Sequence, residues 1–364
     1  MTEFRMSLGL MSGTSLDGVD AALLETDGDV VRWTGPALTL TYPDALRDRL
    51  RAVLGGKGAV AEVERDVTLH HAEAVRMLLD GAGMAADQVD LIGFHGHTLL
   101  HRPLERRTWQ IGDGALLARE TGIAVINDFR SADVAAGGQG APLVPVFHAG
   151  LASGLDHPVA VLNLGGVGNV TWVGRDGALM AFDTGPGNAL IDDWALHHTG
   201  RSVDADGALA RAGSVDDEVV ARFAAHPYFS RSPAKSLDRD DFRAFAEGLV
   251  AGMPATDGAA TLTAFTAVAV ALAQPHLPEP PRRWLVCGGG RRNPAVMAEL
   301  RQRLDAPVES VEAVGWDGDA LEAQAFAYLA VRSQRGLPLT FPETTGGPKP
   351  CCGGRLHPME AVVG

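Results

Sequence analysis

An α/β protein of two domains is what this sequence predicts, and three observations predict it. Its 364 residues divide into about two domains at roughly 150 residues each, long enough for each to bury its own core. A strand, small-residue turn, strand program opens the chain, and the same order of elements begins again near residue 159, the mark of a duplicated architecture. Helix-length segments with one apolar face separate and follow these runs.

The first program covers residues 8–33: a strand, a Gly/Ser/Thr turn, the strand VDAALLET, an Asp27-Gly28 turn and a further short strand, a meander. Helices are expected over 43–54 and 60–79, the second because Val60, Val63, Val67, Ala74, Val75 and Leu78 recur at threes and fours. VDLIGFHG (89–96) reads as a buried strand, 114–120 as a helix and IAVIND (123–128) as another strand, followed by a polar, glycine-rich loop over 130–140. The program restarts with VAVLNLGGVGNVTWVG, and ALMAFDTGPGN supplies its third strand. An apolar helix near 259–274, the strand WLVC (284–287) ending in a glycine run, a helix from Pro294 and an alanine-rich helix over 320–335 complete the pattern. The tail from Pro338 is rich in Pro and Gly and is expected to be irregular. The domains are read as 1–135, joined by the tail 336–364, and 136–335.

Composition narrows the function. Thirty-one basic residues against 45 acidic give a net charge of −14, a field that repels nucleic acid and anionic membrane. An anionic small molecule still fits, because backbone N–H groups and a divalent cation act locally. Lysine is confined to Lys57, Lys235 and Lys349. The cysteines, Cys287, Cys351 and Cys352, form neither a disulfide framework nor a zinc pattern, which suits a reducing compartment. The N-terminus lacks the apolar core of a signal peptide. The apolar stretch 259–273 is shorter than the roughly 20 residues of a membrane span, so a buried helix in a cytoplasmic protein is expected.

Three glycine-bearing loops stand at strand ends. In the first, Gly13, Thr14, Ser15, Leu16, Asp17, Gly18, Val19 and Asp20 connect two strands, where small residues can turn N–H groups inward as an anion nest and Asp17 or Asp20 can orient a metal-bound water. The alternative is a tight turn whose hydroxyls bond their own backbone. The second holds Gly165, Gly166, Gly168 and Asn169; the third is Gly288, Gly289 and Gly290. Each alone is an ordinary turn signal. Together they suit a nucleotide, two loops on phosphates and one beneath the adenosine. No G-x-x-x-x-G-K-[ST] occurs, which excludes a P-loop enzyme.

Asp183, in FDTGPGN, ends a strand just before a helix, the place for a general base flanked by main-chain donors; a turn-capping role is the alternative. His95 and His97 fall on one face if their strand continues, and with His101 they raise metal binding, although no cysteine or carboxylate completes a set. Arg130 and Asp133 lie in a polar loop where arginine can clamp a carboxylate, or simply form a surface ion pair. Glu322 reads as an ordinary helical carboxylate.

Taken together, GLMSGTSLDGVD, FHGHT, INDFRSADVAAGGQGAPLVP, LNLGGVGNVT, FDTGPGN, VCGGG with Asn293 downstream, and GDALEAQAFAYLA resemble the anhydro-N-acetylmuramic acid kinase family, in unbroken order from about residue 8 to 342. The resemblance implies the actin-like, sugar-kinase fold, two α/β domains with a nucleotide cleft between them. It implies ATP and Mg²⁺ as cofactors, an amino-sugar substrate, and a reaction that opens 1,6-anhydro-N-acetylmuramate with water and phosphorylates O6. Gly13 to Asp20 then correspond to the phosphate loop and Asp183 to the catalytic aspartate. Arg130, Asp133, His97 and Glu322 correspond to sugar-pocket positions. The metal ligands are not assigned, and a homodimer is left open. Two rivals remain at this stage: a glycosidase-like hydrolase using Asp183 and Glu322 without nucleotide, and an actin-like protein that uses ATP only as a switch.

Overall fold

The structure is a computed structural model that describes residues 3–13 and 15–359. It contains two compact units, 1–153 with 320–364, and 154–319.

The first unit is built on β1 (Arg5–Ser12), β2 (Gly18–Thr26), β3 (Val31–Thr41), β4 (Leu91–Arg102), β5 (Arg107–Ile111) and β6 (Val125–Asn127). β1 to β3 form the expected antiparallel meander, while β4 lies parallel to β1 and β6 parallel to β4. The order is therefore β6-β4-β1-β2-β3, with β5 folded back on β4 as a hairpin. The second unit contains β7 (Val159–Leu164), β8 (Val167–Val173), β9 (Leu179–Pro186), β10 (Arg283–Cys287) and β11 (Val308–Ser310). Its order, β11-β10-β7-β8-β9, repeats the first with the same directions. This doubled five-strand topology, without residue identity to announce it, agrees with the actin-like sugar-kinase fold that the sequence resemblance implies.

The helix Val60–Ala82 covers one face of the first sheet, burying Val63, Val67, Ala74, Val75 and Leu78 with Leu8, Leu10, Ile92 and Phe94. The other face receives the helix Leu321–Gln334 at unusually close range. A Cβ on Gly9 would stand 1.7 Å from the Ala323 carbonyl oxygen, and one on Gly93 would stand 1.9 Å from that of Phe326. Only hydrogen atoms fit there. Ser7 Oγ adds a 3.0 Å bond to the Ala327 carbonyl.

In the second unit the helix Ala255–Ala273 continues through a 3₁₀ turn to His276. Its span, 255–276, is long and apolar enough to cross a bilayer, longer than the 259–273 stretch suggests. Every residue from Gly258 to Val270 is nevertheless buried, against Leu162, Val170, Phe182 and Trp284. No lipid-facing stripe is left, so it is the core helix of this unit.

The domain limits differ from 1–135 and 136–335. The helices Pro145–Ala152 and Leu321–Gln334 belong to the first unit, the second because the Gly9 and Gly93 seat holds it there. Other differences are local. The strand expected over 89–96 runs on to Arg102 because β5 pairs with its far half, and the loop 130–140 contains the short helix Ser131–Ala136. The tail is not wholly irregular: Thr340 bridges Cys351, and the strand Arg355–His357 pairs antiparallel with β6.

Gly9→Ala is expected to lower stability by about 1–3 kcal/mol, since either the helix or the strand must retreat. Gly81→Ala, at an exposed helical position with nothing within 4 Å, is expected to change stability by at most about 1 kcal/mol, and upward. Thermal denaturation of the two variants checks the contrast; equal effects would mean that the seat is not a constraint.

Candidate active site

In the first unit, the β1–β2 turn closes with Leu16 N–H donating to the Gly13 carbonyl at 3.2 Å, and with Leu16 itself at positive φ. Thr14 lies outside the described residues. Ser15 Oγ donates to Asp17 Oδ1 at 2.7 Å, and Asp20 Oδ1 accepts from Thr39 Oγ1 at 2.5 Å. A Cβ on Gly13 would meet Ser15 Oγ at an ordinary 3.5 Å, whereas Gly18 is needed for packing: a Cβ there would lie 2.5 Å from the Leu40 carbonyl oxygen.

β4 carries a bulge at Gly96, whose φ is +73°, so the register passes from Leu10↔Phe94 to Ser12↔His97. The bulge parts the two histidines that unbroken alternation would have put together. His95 packs at a tilt against Phe326 of the helix Leu321–Gln334, with ring centroids 4.6 Å apart. His97 turns to Ser12, with its Nδ1 2.9 Å from the hydroxyl that also meets Tyr42 at 2.9 Å. Fully buried, His97 exposes no atom to a ligand, and burial pushes its pKa down to about 4. Through Ser12 it supports the end of β1, while its buried Nε2 has no hydrogen-bond partner among the described residues.

Arg130 is held by neutral acceptors. Its Nε and Nη2 both lie 3.1 Å from His95 Nε2, and Nη1 donates to the Gly140 carbonyl at 2.6 Å. The same His95 donates Nδ1–H to the Gly96 carbonyl at 3.0 Å. Burial, then the Arg130 charge, keep this imidazole well below its ordinary pKa and so neutral. Burial also lowers the Arg130 pKa to about 10, with Glu322 opposing, so the guanidinium stays charged at neutral pH. Glu322, in the first turn of its helix, is reachable by water but crowded by protein. Desolvation raises its pKa, joined by the charges of Asp20 and Asp17 and opposed by Arg130. Arg130, Glu322, Asp17 and Asp20 thus share one electrostatic neighbourhood.

Asp133 is not part of it. Only 2% exposed, it accepts from the Gly140 N–H at 2.7 Å and from the hydroxyls of Thr340 (2.5 Å) and Thr345 (2.9 Å). Its carboxylate is consumed in tying the 130–140 loop to the C-terminal segment. This corrects the sugar-pocket expectation.

In the second unit, strand pairing places Cys287, Asn163, Asn169 and Asp183 in one row across β10, β7, β8 and β9. Asp183 Oδ2 accepts the Leu237 N–H at 2.8 Å. Burial raises its pKa to about 7, against the pull of that N–H and with a push from Asp238. The neighbouring loops interlock: Asn188 N–H donates to the Gly165 carbonyl (2.7 Å) and Gly187 N–H to that of Gly166 (2.9 Å). Gly288, with φ +72°, passes Asn163 so closely that a Cβ would sit 2.3 Å from its Oδ1; Gly290 and Gly168 are equally confined, by Leu164 and Thr184. At Gly165, Gly166 and Gly289 a Cβ would meet its neighbours only at ordinary contact distances of 3.5–3.9 Å. Asn293 caps the helix Pro294–Arg303, its Oδ1 accepting from Ala295 and Val296 N–H, and that carbonyl oxygen is spent.

Concavity alone does not choose this place. A cavity of about 750 Å³ in the same unit, lined by Leu190, Trp194, His197, His198 and Met253, contains none of these residues.

The family model for anhydro-N-acetylmuramic acid kinase matches residues 5–359. The chain belongs to this family. Among curated relatives, an anhydro-N-acetylmuramic acid kinase of Paramagnetospirillum magneticum (strain ATCC 700264 / AMB-1) is 67% identical over 97% of this chain and 99% of its own. That of Rhodospirillum rubrum (strain ATCC 11170) is 58% identical over 98% and 96%. That of Acidiphilium cryptum (strain JF-5) is 56% identical over 96% and 97%.

Two contributors escape the sequence reading. His95 appeared there only as a metal candidate, and Tyr228, whose hydroxyl donates to the Asp183 carbonyl at 2.6 Å, carries no motif at all. For Asp133, replacing the carboxylate by the amide in Asp133→Asn removes an acceptor facing buried donors. A stability loss of about 1–3 kcal/mol is expected, read by denaturant unfolding; an unchanged midpoint would show that the tie is dispensable.

Proposed function

We propose that this protein uses ATP and water to open 1,6-anhydro-N-acetylmuramic acid and phosphorylate its O6, giving N-acetylmuramate 6-phosphate and ADP in cell-wall recycling and amino-sugar catabolism. Beyond the family, the supporting observation is a desolvated carboxylate, Asp183, with one oxygen bonded to Leu237 N–H and a pKa near 7. That is the value at which a general base is both deprotonated and basic enough to act.

Asp183 takes a proton from water as the water oxygen bonds to the anomeric carbon. The C1–O6 bond breaks with its electron pair on O6, which attacks the γ-phosphorus and displaces ADP. Arg130, charged and met only by neutral acceptors, pairs with the lactyl carboxylate of the sugar, and Glu322 accepts a sugar hydroxyl beside it. Gly13, Gly165, Gly166 and Gly289, where even a Cβ would meet protein only at ordinary contact distances, let the nucleotide approach the backbone. Mg²⁺ supplies positive charge for the phosphates in a chain of few lysines. The oxygen donors Asp17 and Asp20 suit it, since Mg²⁺ is commonly held by one or two carboxylates together with phosphate and water.

Asp183→Asn should bind ATP normally and lose turnover by about 10²–10⁴-fold. In the native enzyme the base is active only when deprotonated, so kcat/KM should rise with pH and level off above about 7. Turnover in heavy-oxygen water should place the label at C1 of the sugar and none in phosphate, measured against a control for anomeric exchange. Retained turnover in Asp183→Asn, or label in phosphate, would overturn the reading.

Arg130→Ala should raise the KM for the sugar by about 10–100-fold, the worth of a charge-assisted pair, with little change for ATP. Equal losses for both substrates in steady-state kinetics would remove Arg130 from the sugar site.

A further inference from the structure

We propose that the segment 228–237 is a positioning strap for Asp183, anchored by Tyr228, and that it leaves Oδ1 as the oxygen that accepts the proton. The inference rests on Asp183 being the general base.

β9 is the edge strand of the second sheet, so its outer main-chain groups have no sheet partner of their own. The strap supplies all of them at Asp183. The Asp183 N–H donates to the Lys235 carbonyl at 3.0 Å, and its carbonyl accepts the Tyr228 hydroxyl at 2.6 Å. Its Oδ2 accepts the Leu237 N–H at 2.8 Å. Backbone and carboxylate are thereby fixed from one piece of chain, and Oδ1 has no protein hydrogen bond among the described residues. A carboxylate held at one oxygen loses much of its freedom to turn, which favours the fixed geometry that base catalysis needs.

The strap is itself moored. Tyr228 is 2% exposed and packs edge-on to Phe229 and Phe242. The Lys235 ammonium lies 4.8 Å from its ring centre and bonds its carbonyl at 3.4 Å. His276, at the end of the core helix, meets the Phe229 carbonyl at 2.9 Å. Tyr228 thus converts packing in the core into the orientation of Asp183.

Two variants of the full-length enzyme test this. Tyr228→Phe keeps the packed ring and deletes only the hydroxyl; replacing Leu237 by its α-hydroxy-acid analogue deletes only the N–H. Both should lower kcat about tenfold while leaving the KM for ATP unchanged, and both should move the acid limb of the pH profile upward, because a donor that favours the carboxylate is lost or loosened. Unchanged kcat and acid limb in both variants, with Asp183→Asn inactive, would overturn the strap and leave the base standing. Turnover retained in Asp183→Asn would instead remove the base, and the strap with it. A loss of kcat without any shift of the limb would reduce the strap to a structural support and overturn the proposal.

Discussion

The contact between a helix and two glycines holds the first unit in its working form. Gly9 and Gly93 let the helix Leu321–Gln334 lie directly on β1 and β4, at a distance no other residue permits. Its consequences spread along the helix. Phe326 reaches His95, which in turn orients Arg130, and Glu322 comes within electrostatic range of Arg130 and Asp20. At the far end, Arg332 Nη1 donates to the Gly28 carbonyl at 2.6 Å, which ties the β2–β3 turn to the same helix. A segment more than three hundred residues away in sequence is therefore part of the first sheet's architecture, and a shift of about an ångström at the glycine seat would displace each of these groups together.

The charged residues divide according to what their partners leave unspent. Asp133 meets three neutral donors, which replace water around its buried carboxylate. Arg130 is half-buried, and its acceptors, an imidazole nitrogen and a carbonyl, are likewise neutral and leave its charge uncancelled. Such a guanidinium is costly unless an anion arrives to compensate it. The same comparison separates Asp183 from a turn cap. A capping aspartate satisfies the helix N–H groups ahead of it, whereas Asp183 accepts from Leu237, far along the chain, and desolvation keeps its carboxyl near neutrality.

Much of the architecture was legible in the sequence because strand periodicity and glycine turns are local signals. The restart near residue 159 showed the duplication, and the structure confirms it as two sheets with one topology. Domain limits were not legible, since the helix Leu321–Gln334 carries no mark of the sheet it covers; that information sits in Gly9 and Gly93. The site was legible unevenly. Asp183 and Arg130 stand in motifs whose geometry the structure makes chemically sensible. Asp133 stands in an equally good motif and is structural, because its partners Thr340 and Thr345 come from a tail that composition alone marks as irregular. His97 was placed beside His95 by simple alternation, and one left-handed glycine, Gly96, undoes that alternation.

Glycine runs illustrate the limit most clearly. All three loops looked alike as strings, yet within each the glycines do different work. Gly18, Gly168, Gly288 and Gly290 are fixed by neighbouring protein atoms, while Gly13, Gly165, Gly166 and Gly289 would each take a Cβ at ordinary contact distances. Confined glycines set the path of the chain, and that path decides where the open ones face. Adding a methyl group to Gly288 would collide with Asn163 and displace the loop, whereas the same methyl on Gly289 would meet Asn188 at an ordinary contact distance of 3.5 Å. One substitution disturbs the path of the chain and the other leaves it in place, and only the three-dimensional neighbourhood of each glycine, absent from any run of letters, tells them apart.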